Sequence, residues 1–73
     1  MERTAVDSSN LANVGYDATK RVLVVEFNNG RVYEYRNVPV RVYSGLMRAG
    51  SKGGYLHKEV VKKYRGREVH DDG

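Results

Sequence analysis

The sequence contains no cysteine among its 73 residues, and this absence removes several kinds of chemistry at once. There is no thiol nucleophile, no set of thiolates for a zinc ribbon or an iron–sulfur cluster, and no disulfide to hold a small fold together. A chain of this length forms one domain at most, near the lower limit at which a core alone can hold a fold. The sequence therefore predicts a single domain over residues 1–73.

Long apolar runs are also missing. No run approaches the roughly 20 apolar residues that a membrane-spanning helix needs. Residues 1–10 are polar and charged, so they have the features of neither a signal peptide nor an anchor. We therefore expect a cytoplasmic protein without membrane contact, whose polar ends, residues 1–8 and 70–73, are frayed.

Side chains that could catalyse a reaction near neutral pH are few. The chain has two histidines, His57 and His70, and histidine is the side chain that titrates in this range without a perturbed pKa. Neither has a neighbour at a spacing that predicts an acid–base pair. Asp71 and Asp72 beside His70 fit a solvated tail better than a metal site. The sequence therefore predicts a protein that is not an enzyme and has no metal and no cofactor.

The basic side chains are concentrated in the C-terminal half. The chain has 13 lysine and arginine residues against 9 aspartate and glutamate residues, a net charge of +4. Residues 1–37 are balanced, whereas residues 38–67 hold eight basic side chains and one acid, Glu59, a net charge of +7. Such a cluster attracts polyanions or acidic protein surfaces. For any single lysine, a solvated helix face is the alternative explanation.

Two strands and the turn between them are predicted by local pattern. Residues 20–27 are rich in β-branched side chains, and residues 31–36 alternate between apolar and polar. Asn28-Asn29-Gly30 between them is typical of a hairpin turn. A three-residue loop with a left-handed Gly30 is the arrangement that puts the large apolar side chains of both strands on one face. The predicted pairs are Val25 with Tyr33 and Leu23 with Tyr35.

A weaker alternation over residues 11–16 predicts one more strand, followed by a turn at residues 17–20. Three strands in chain order predict an antiparallel meander, with residues 11–16 at its edge. An edge strand carries a row of unpaired backbone groups. An extended segment of a partner could therefore pair with it by strand addition.

Helical spacing replaces the alternation after Pro39, which stands where a first-turn proline is tolerated. Residues 39–49 and 56–64 each carry one apolar stripe, and Gly50 is placed to end the first helix. We therefore expect an α+β fold, a three-stranded antiparallel β-meander followed by two helices packed on one face. The predicted core consists of Leu23, Val25, Phe27, Tyr35, Val42, Leu46, Leu56 and Val60.

Residues 51–54, Ser-Lys-Gly-Gly, are expected to form a flexible connector between the two helices. Backbone N–H groups beside Lys52 and ahead of a helix could hold a phosphate or a carboxylate. The glycine spacing is not that of a P-loop. A plain turn that uses glycine for its dihedral angles is the favoured interpretation.

The six tyrosines are many for a chain of this length. Aromatic side chains near basic ones can stack on nucleic-acid bases. Tyr33 and Tyr35 belong to the predicted core face, which makes them poor candidates for this role. Tyr43 and Tyr55 fall outside the apolar stripes and are the better candidates for an exposed contact.

Several motifs, taken in chain order, resemble the KTSC domain family. They are Tyr16-Asp17, Leu23-x-Val25-x-Phe27-x-x-Gly30-x-x-Tyr33-x-Tyr35, Val38-Pro39, Leu46, Ala49-x-Ser51-x-Gly53 and Tyr64. The resemblance covers residues 9–69, and the tyrosine-x-tyrosine is a hallmark of the family. This small domain stands at the C-terminus of some lysyl-tRNA synthetases and also occurs alone in bacteria and phages. The resemblance implies RNA as a possible ligand.

The chain as a whole also resembles a stand-alone phage transcription regulator, on its size and overall sequence. That resemblance implies a protein that binds the large subunits of bacterial RNA polymerase in the host cytoplasm and inhibits host transcription. Separately, we expect the domain to be a monomer. A stand-alone RNA-binding module is the alternative, in which the basic side chains neutralise phosphates. RNA binding should weaken steeply with salt, whereas strand addition should be much less sensitive.

Two sets of residues are predicted to contact the partner. The first set lies on the predicted edge strand and would pair through its backbone: Leu11, Asn13, Val14 and Tyr16. The second set lies on the basic helical half and would form an electrostatic rim: Arg48, Lys52, Tyr55, Lys58 and Lys62.

Overall fold

The computed structural model describes residues 3–69. Its strands are β1 (Arg3–Ala5), β2 (Leu11–Asp17), β3 (Val22–Phe27), β4 (Val32–Tyr35) and β5 (Gly66–Val69). The helices between β4 and β5 are α1 (Val40–Arg48), α2 (Lys52–Leu56) and α3 (His57–Val61), a π-helical segment that continues α2. The strands form one antiparallel sheet in the order β1-β2-β3-β4-β5.

The hairpin between β3 and β4 has the predicted loop and register. Gly30 has a φ of 89°, a left-handed conformation that glycine adopts without steric cost. The Gly30 N–H donates to the Phe27 carbonyl at 2.9 Å, and the Phe27 N–H donates to the Arg31 carbonyl at 2.8 Å. The predicted pairs, Val25 with Tyr33 and Leu23 with Tyr35, are confirmed.

The fold is α+β, but the predicted three-stranded meander is wrong, because two short strands extend the sheet. β1 pairs outside β2, within residues that were expected to be frayed, and β5 pairs outside β4 after the helices. These strands have three and four residues, and most of their side chains are exposed. Neither therefore carries the apolar alternation that predicts a strand. The other segment expected to be frayed, residues 70–73, lies outside the described residues.

The helices cover one face of the sheet and enclose the core. Its buried members are Leu11, Val14, Leu23, Val25, Tyr35, Val38, Leu46, Leu56 and Val60. Six of the eight predicted core residues are among them, whereas Phe27 and Val42 are partly buried and pack against the core. Leu11 and Val14 are three residues apart, a spacing that normally puts side chains on opposite faces. An irregularity between Leu11 and Asn13 adds one residue to β2 and turns both inward.

The second helical segment begins four residues earlier than predicted. Ser51 caps it, because its hydroxyl accepts a hydrogen bond from the Gly54 N–H at 3.3 Å. The predicted flexible connector at residues 51–54 is therefore the first turn of α2. Gly53 lets this turn approach β2, since a Cβ there would lie 2.5 Å from the side-chain nitrogen of Asn10.

The opposite face of the sheet has no helix over it within residues 3–69. Val32 lies on this face, because it pairs with Glu26 and Val69 and opposed residues share a face. Two ion-pair groups flank it. Arg3 Nη1 lies 3.2 Å from Glu26 Oε1, and the Glu34 carboxylate on the same face is paired with two arginines.

Leu46 tests the packing of the helices on the sheet. It is fully buried, so Leu46→Ala leaves a cavity and should lower the free energy of unfolding by about 2–5 kcal/mol. Val40→Ala, on the same helix but 57% exposed, is the control and should change it by less than about 0.5 kcal/mol. Denaturant unfolding of both variants measures the difference, and equal stabilities would contradict the assigned helix face.

Gly66 tests the docking of β5, which the sequence does not predict. A Cβ at Gly66 would overlap the ring of its strand partner Tyr35, with Cδ1 2.6 Å away. We expect Gly66→Ala to destabilise the fold by about 1–3 kcal/mol. Gly50→Ala is the control, since nothing lies within 4 Å of its Cβ position. Thermal melting of both variants is the measurement, and a Gly66→Ala protein as stable as the control would remove β5 from the sheet.

Candidate macromolecule-binding surface

The backbone of residues 11–16 is not the edge that the sequence predicts. β2 lies between β1 and β3, and Asn13 pairs with Ala5 on one side and Glu26 on the other. Leu11 and Val14 are 1% and 0% exposed, so their side chains belong to the core. The prediction of strand addition at β2 is therefore wrong, because β1 already occupies part of that edge.

The two polar members of this predicted set are also engaged inside the fold. The side-chain N–H of Asn13 donates to Glu26 Oε1 at 2.9 Å. The Tyr16 hydroxyl donates to the Val38 carbonyl at 2.5 Å, and its ring stacks on Tyr43 with centroids 4.9 Å apart. The Asn13 contact connects two strands, whereas the Tyr16 contacts connect the sheet to α1 and the loop before it. The side chains of Asn13 and Tyr16 thus make contacts that hold elements of the fold together.

The tyrosines expected to be exposed contribute to packing as well. Tyr43 and Tyr55 are partly buried and pack against the core. The Tyr55 ring lies so close to α1 that a Cβ at Gly45 would overlap it. Tyr43 and Tyr55 lie at the junctions between elements, which the apolar stripe of a single helix does not reveal.

Lys52, a predicted rim residue, holds the end of α1. Its ammonium donates to the Ala49 carbonyl at 3.1 Å, which satisfies one of the carbonyls left unpaired at a helix C-terminus. Together with the Ser51 cap, this contact accounts for the Ser-Lys-Gly-Gly sequence as a helix junction. The phosphate-binding alternative has no observation in its favour.

The remaining predicted rim residues, Arg48, Lys58 and Lys62, are exposed. Among residues 3–69, no carboxylate lies within ion-pair distance of any of the three. Val60 is fully buried, so Lys58 and Lys62, two residues before and after it, lie on the outer side of α3. We call these three residues the helical face; their positive charge is not neutralised within the fold.

A second basic surface lies at the end of the sheet where β4 stops and β5 begins. This cleft has a volume of about 550 Å³, and we call it the basic groove. Its lining residues are Glu34, Arg36, Asn37, Lys63, Tyr64, Arg65, Gly66 and Arg67. Sequence analysis missed this groove because Arg36 belongs to the electrically balanced half of the chain. The pairing of β4 with β5 brings it beside the basic half.

A further depression, of about 490 Å³, lies beside α2 and α3. Phe27, Leu56 and Val61 supply its apolar wall, and Asn10 and His57 are among its polar lining. Val61 is 42% exposed. We call this depression the apolar cleft; its Val61 precedes Lys62 of the helical face in sequence.

No three His, Asp or Glu side chains of residues 3–69 are grouped as metal ligands. The described helices are all too short to cross a membrane. His57 is exposed, while His70, Asp71 and Asp72 lie outside the described residues. Burial raises the pKa of the Tyr35 hydroxyl above its usual value, with a smaller contribution from Tyr33.

The family model of the KTSC domain matches residues 7–64, most of the chain. The chain belongs to the KTSC domain family. The family hallmark Tyr33-x-Tyr35 has a packing role here. Tyr35 is 5% exposed in the core, and the Tyr33 ring meets Phe27 edge-on, with centroids 5.6 Å apart.

Relatives of this KTSC domain occur both alone and within larger proteins. The crystal structure of a KTSC domain protein from Yersinia pestis has a TM-score of 0.88 at 33% identity, covering 94% of this chain and 97% of that one. A protein from Stutzerimonas stutzeri is 40% identical over 58 residues, which cover 80% of this chain and 82% of that protein. A lysine–tRNA ligase from Trichormus variabilis is 44% identical over 50 residues, which cover 68% of this chain but 9% of the ligase.

Proposed function

We propose that this KTSC domain is a non-catalytic regulator that binds bacterial RNA polymerase in the bacterial cytoplasm and inhibits transcription. The support comes from the whole-chain resemblance to a phage transcription regulator and from the helical face. Arg48, Lys58 and Lys62 present positive charge that no carboxylate of residues 3–69 neutralises. Such a face suits an acidic surface on the large subunits of the polymerase.

The contact proposed for this partner is made by side chains. Strand addition at β2 is excluded by β1, so the helical face and the apolar cleft replace it. Lys58 and Lys62 would form the charged rim, and a partner side chain would contact Phe27 and Val61 in the cleft. A buried apolar contact surrounded by charged residues is the usual composition of a protein interface.

Inhibition by so small a protein would not require chemistry of its own. Binding can mask a surface that promoter recognition needs, or favour one state of the polymerase over another. A difference in affinity of about 3 kcal/mol between two states shifts their ratio by roughly 150-fold. The domain would therefore inhibit at concentrations close to its dissociation constant.

Promoter-dependent transcription with purified bacterial polymerase tests this proposal. Addition of the domain should reduce transcript yield, and it should bind polymerase from which nucleic acid has been removed. A domain that neither inhibits nor binds under these conditions is not a polymerase regulator.

Charge reversal on the helical face should slow association with the polymerase. Lys58→Glu/Lys62→Glu removes the attraction during approach, so the association rate should fall at least tenfold at low salt with little change in the dissociation rate. Both side chains are exposed, so melting should be unchanged. Lys20→Glu/Arg65→Glu is a matched control with the same change of net charge away from this face. Stopped-flow or surface-based kinetics provide the rates, and equal rates for the two variants would exclude the helical face.

RNA binding is the second candidate function. The observation that favours it is the 44% identity to part of a lysine–tRNA ligase, whose name places tRNA among what that enzyme acts on. In this candidate, the basic side chains would neutralise phosphates. Its affinity for RNA should fall log-linearly with salt, and nuclease treatment of a bacterial lysate should abolish co-purification of the domain's partners.

A further inference from the structure

The basic groove continues in both directions along the end of the sheet. A depression of about 410 Å³ shares Glu34, Arg36 and Asn37 with it and adds Lys20 from the β2–β3 turn. Another, of about 350 Å³, shares Lys63 and Tyr64 with it and adds Arg41 from α1. Three adjoining depressions thus form one channel from the β2–β3 turn to the first turn of α1.

The lining of this channel is positively charged. Its six cationic side chains are Lys20, Arg36, Arg41, Lys63, Arg65 and Arg67, and its two carboxylates are Glu34 and Glu59. A surface with this excess, in a concave shape that concentrates the field, attracts an extended polyanion.

The two carboxylates orient part of this positive charge. Glu34 Oε1 lies 3.3 Å from Arg36 Nε and 3.5 Å from Arg67 Nε, while Lys63 Nζ lies 3.0 Å from Glu59 Oε1. Each guanidinium has five N–H donors, and in both arginines the contact with Glu34 is made by Nε. The terminal N–H groups therefore remain for phosphate oxygens.

Arg65 lies in the central depression of the channel. It is exposed, and no carboxylate of the described residues lies within ion-pair distance of it. Tyr64 stands next to it; like Tyr43 and Tyr55, it is partly buried and packs against the core, but it also lines two of the three depressions. An aromatic ring beside a basic track is the combination by which proteins bind unpaired bases along with the phosphate backbone.

We propose that the channel binds single-stranded nucleic acid, with its arginines and lysines on the phosphates and the Tyr64 ring stacked on a base. The proposal rests on the RNA-binding candidate and assigns it a site distinct from the helical face. A duplex fits the molecule poorly. Domains that bind double-stranded RNA contact about 16 base pairs. That length of duplex exceeds the 29 Å maximum extent of this fold.

Fluorescence anisotropy with a labelled ten-nucleotide oligouridine tests the channel directly. The wild-type domain should bind it at low salt, and log Kd should rise with log salt with a slope of about 3, from four to five phosphates at roughly 0.7 each. Lys20→Glu/Arg65→Glu changes one cation at an end of the channel and one in its central depression, and should weaken binding at least tenfold. Loss of two phosphate contacts should reduce the slope by about 1.4.

The control is Lys58→Glu/Lys62→Glu, which has the same net charge as Lys20→Glu/Arg65→Glu but leaves the channel intact. It should change Kd by less than threefold. Arg65→Lys keeps the charge and should bind within threefold of the wild type. Tyr64→Phe keeps the ring and should also bind normally. Equal losses in the two double variants, or a weaker affinity for oligouridine than for an RNA duplex, would overturn the channel.

Further probes separate the possible ligands. DNA of the same length that binds as well as RNA would support a site that reads the shared phosphodiester backbone. Polyglutamate that displaces oligouridine at equal charge concentration would overturn the proposal in favour of an acidic polypeptide. Absence of any oligouridine binding at low salt would remove the RNA-binding candidate together with the channel. Binding that is unchanged in Lys20→Glu/Arg65→Glu would remove only the channel.

Discussion

The register of the β3–β4 hairpin is the constraint on which the rest of the structure depends. Gly30, with its left-handed φ of 89°, closes a three-residue loop, and this loop puts Leu23 opposite Tyr35 and Val25 opposite Tyr33. A slip by one residue would put the large side chains of one strand on the opposite face from those of the other. The helices would then cover only half of this apolar surface.

The charged surfaces follow from how little this short chain can cover. One layer of helices encloses the core, and the uncovered face of the sheet carries ion pairs such as Arg3 with Glu26. On the outer side of α3, by contrast, Lys58 and Lys62 lie at positions without a carboxylate partner in the described chain. Charge is thus paired on the uncovered face of the sheet near β1, and unpaired at Lys58 and Lys62, where the proposed polymerase contact lies.

Local pattern was enough to predict the elements whose residues determine their own geometry. The sequence Asn28-Asn29-Gly30 predicts the loop of the hairpin. An apolar stripe in each helix predicts its buried side, with Leu46 in the first helix and Leu56 and Val60 in the second. β1 and β5 could not be predicted from local pattern, because their mostly polar, exposed side chains do not indicate which strands they pair with. The error at Leu11 and Val14 follows from that omission, since an undetected β1 made β2 an apparent edge.

The candidate surfaces also differ in how far local sequence pattern predicts them. Arg48, Lys58 and Lys62 are exposed as the helical spacing predicts, because the apolar stripe of each helical segment determines which of its own side chains face outward. The basic groove depends on the pairing of Glu34 with Arg67 across the sheet, a contact between residues 33 positions apart. A short stretch of sequence does not contain both residues of such a pair, so this groove can be identified only in the folded structure.

The most direct test of the proposed function is a nuclear magnetic resonance titration of the isotope-labelled domain with bacterial RNA polymerase free of nucleic acid. The account predicts that substoichiometric polymerase lowers the intensity of amide signals of α3 and the end of α1, including Arg48, Lys58 and Lys62, by more than the domain average. Signals of Lys20 and Arg65, which line the channel and are not part of the helical face, should lose less intensity. Unchanged spectra, or losses confined to the groove, would contradict it.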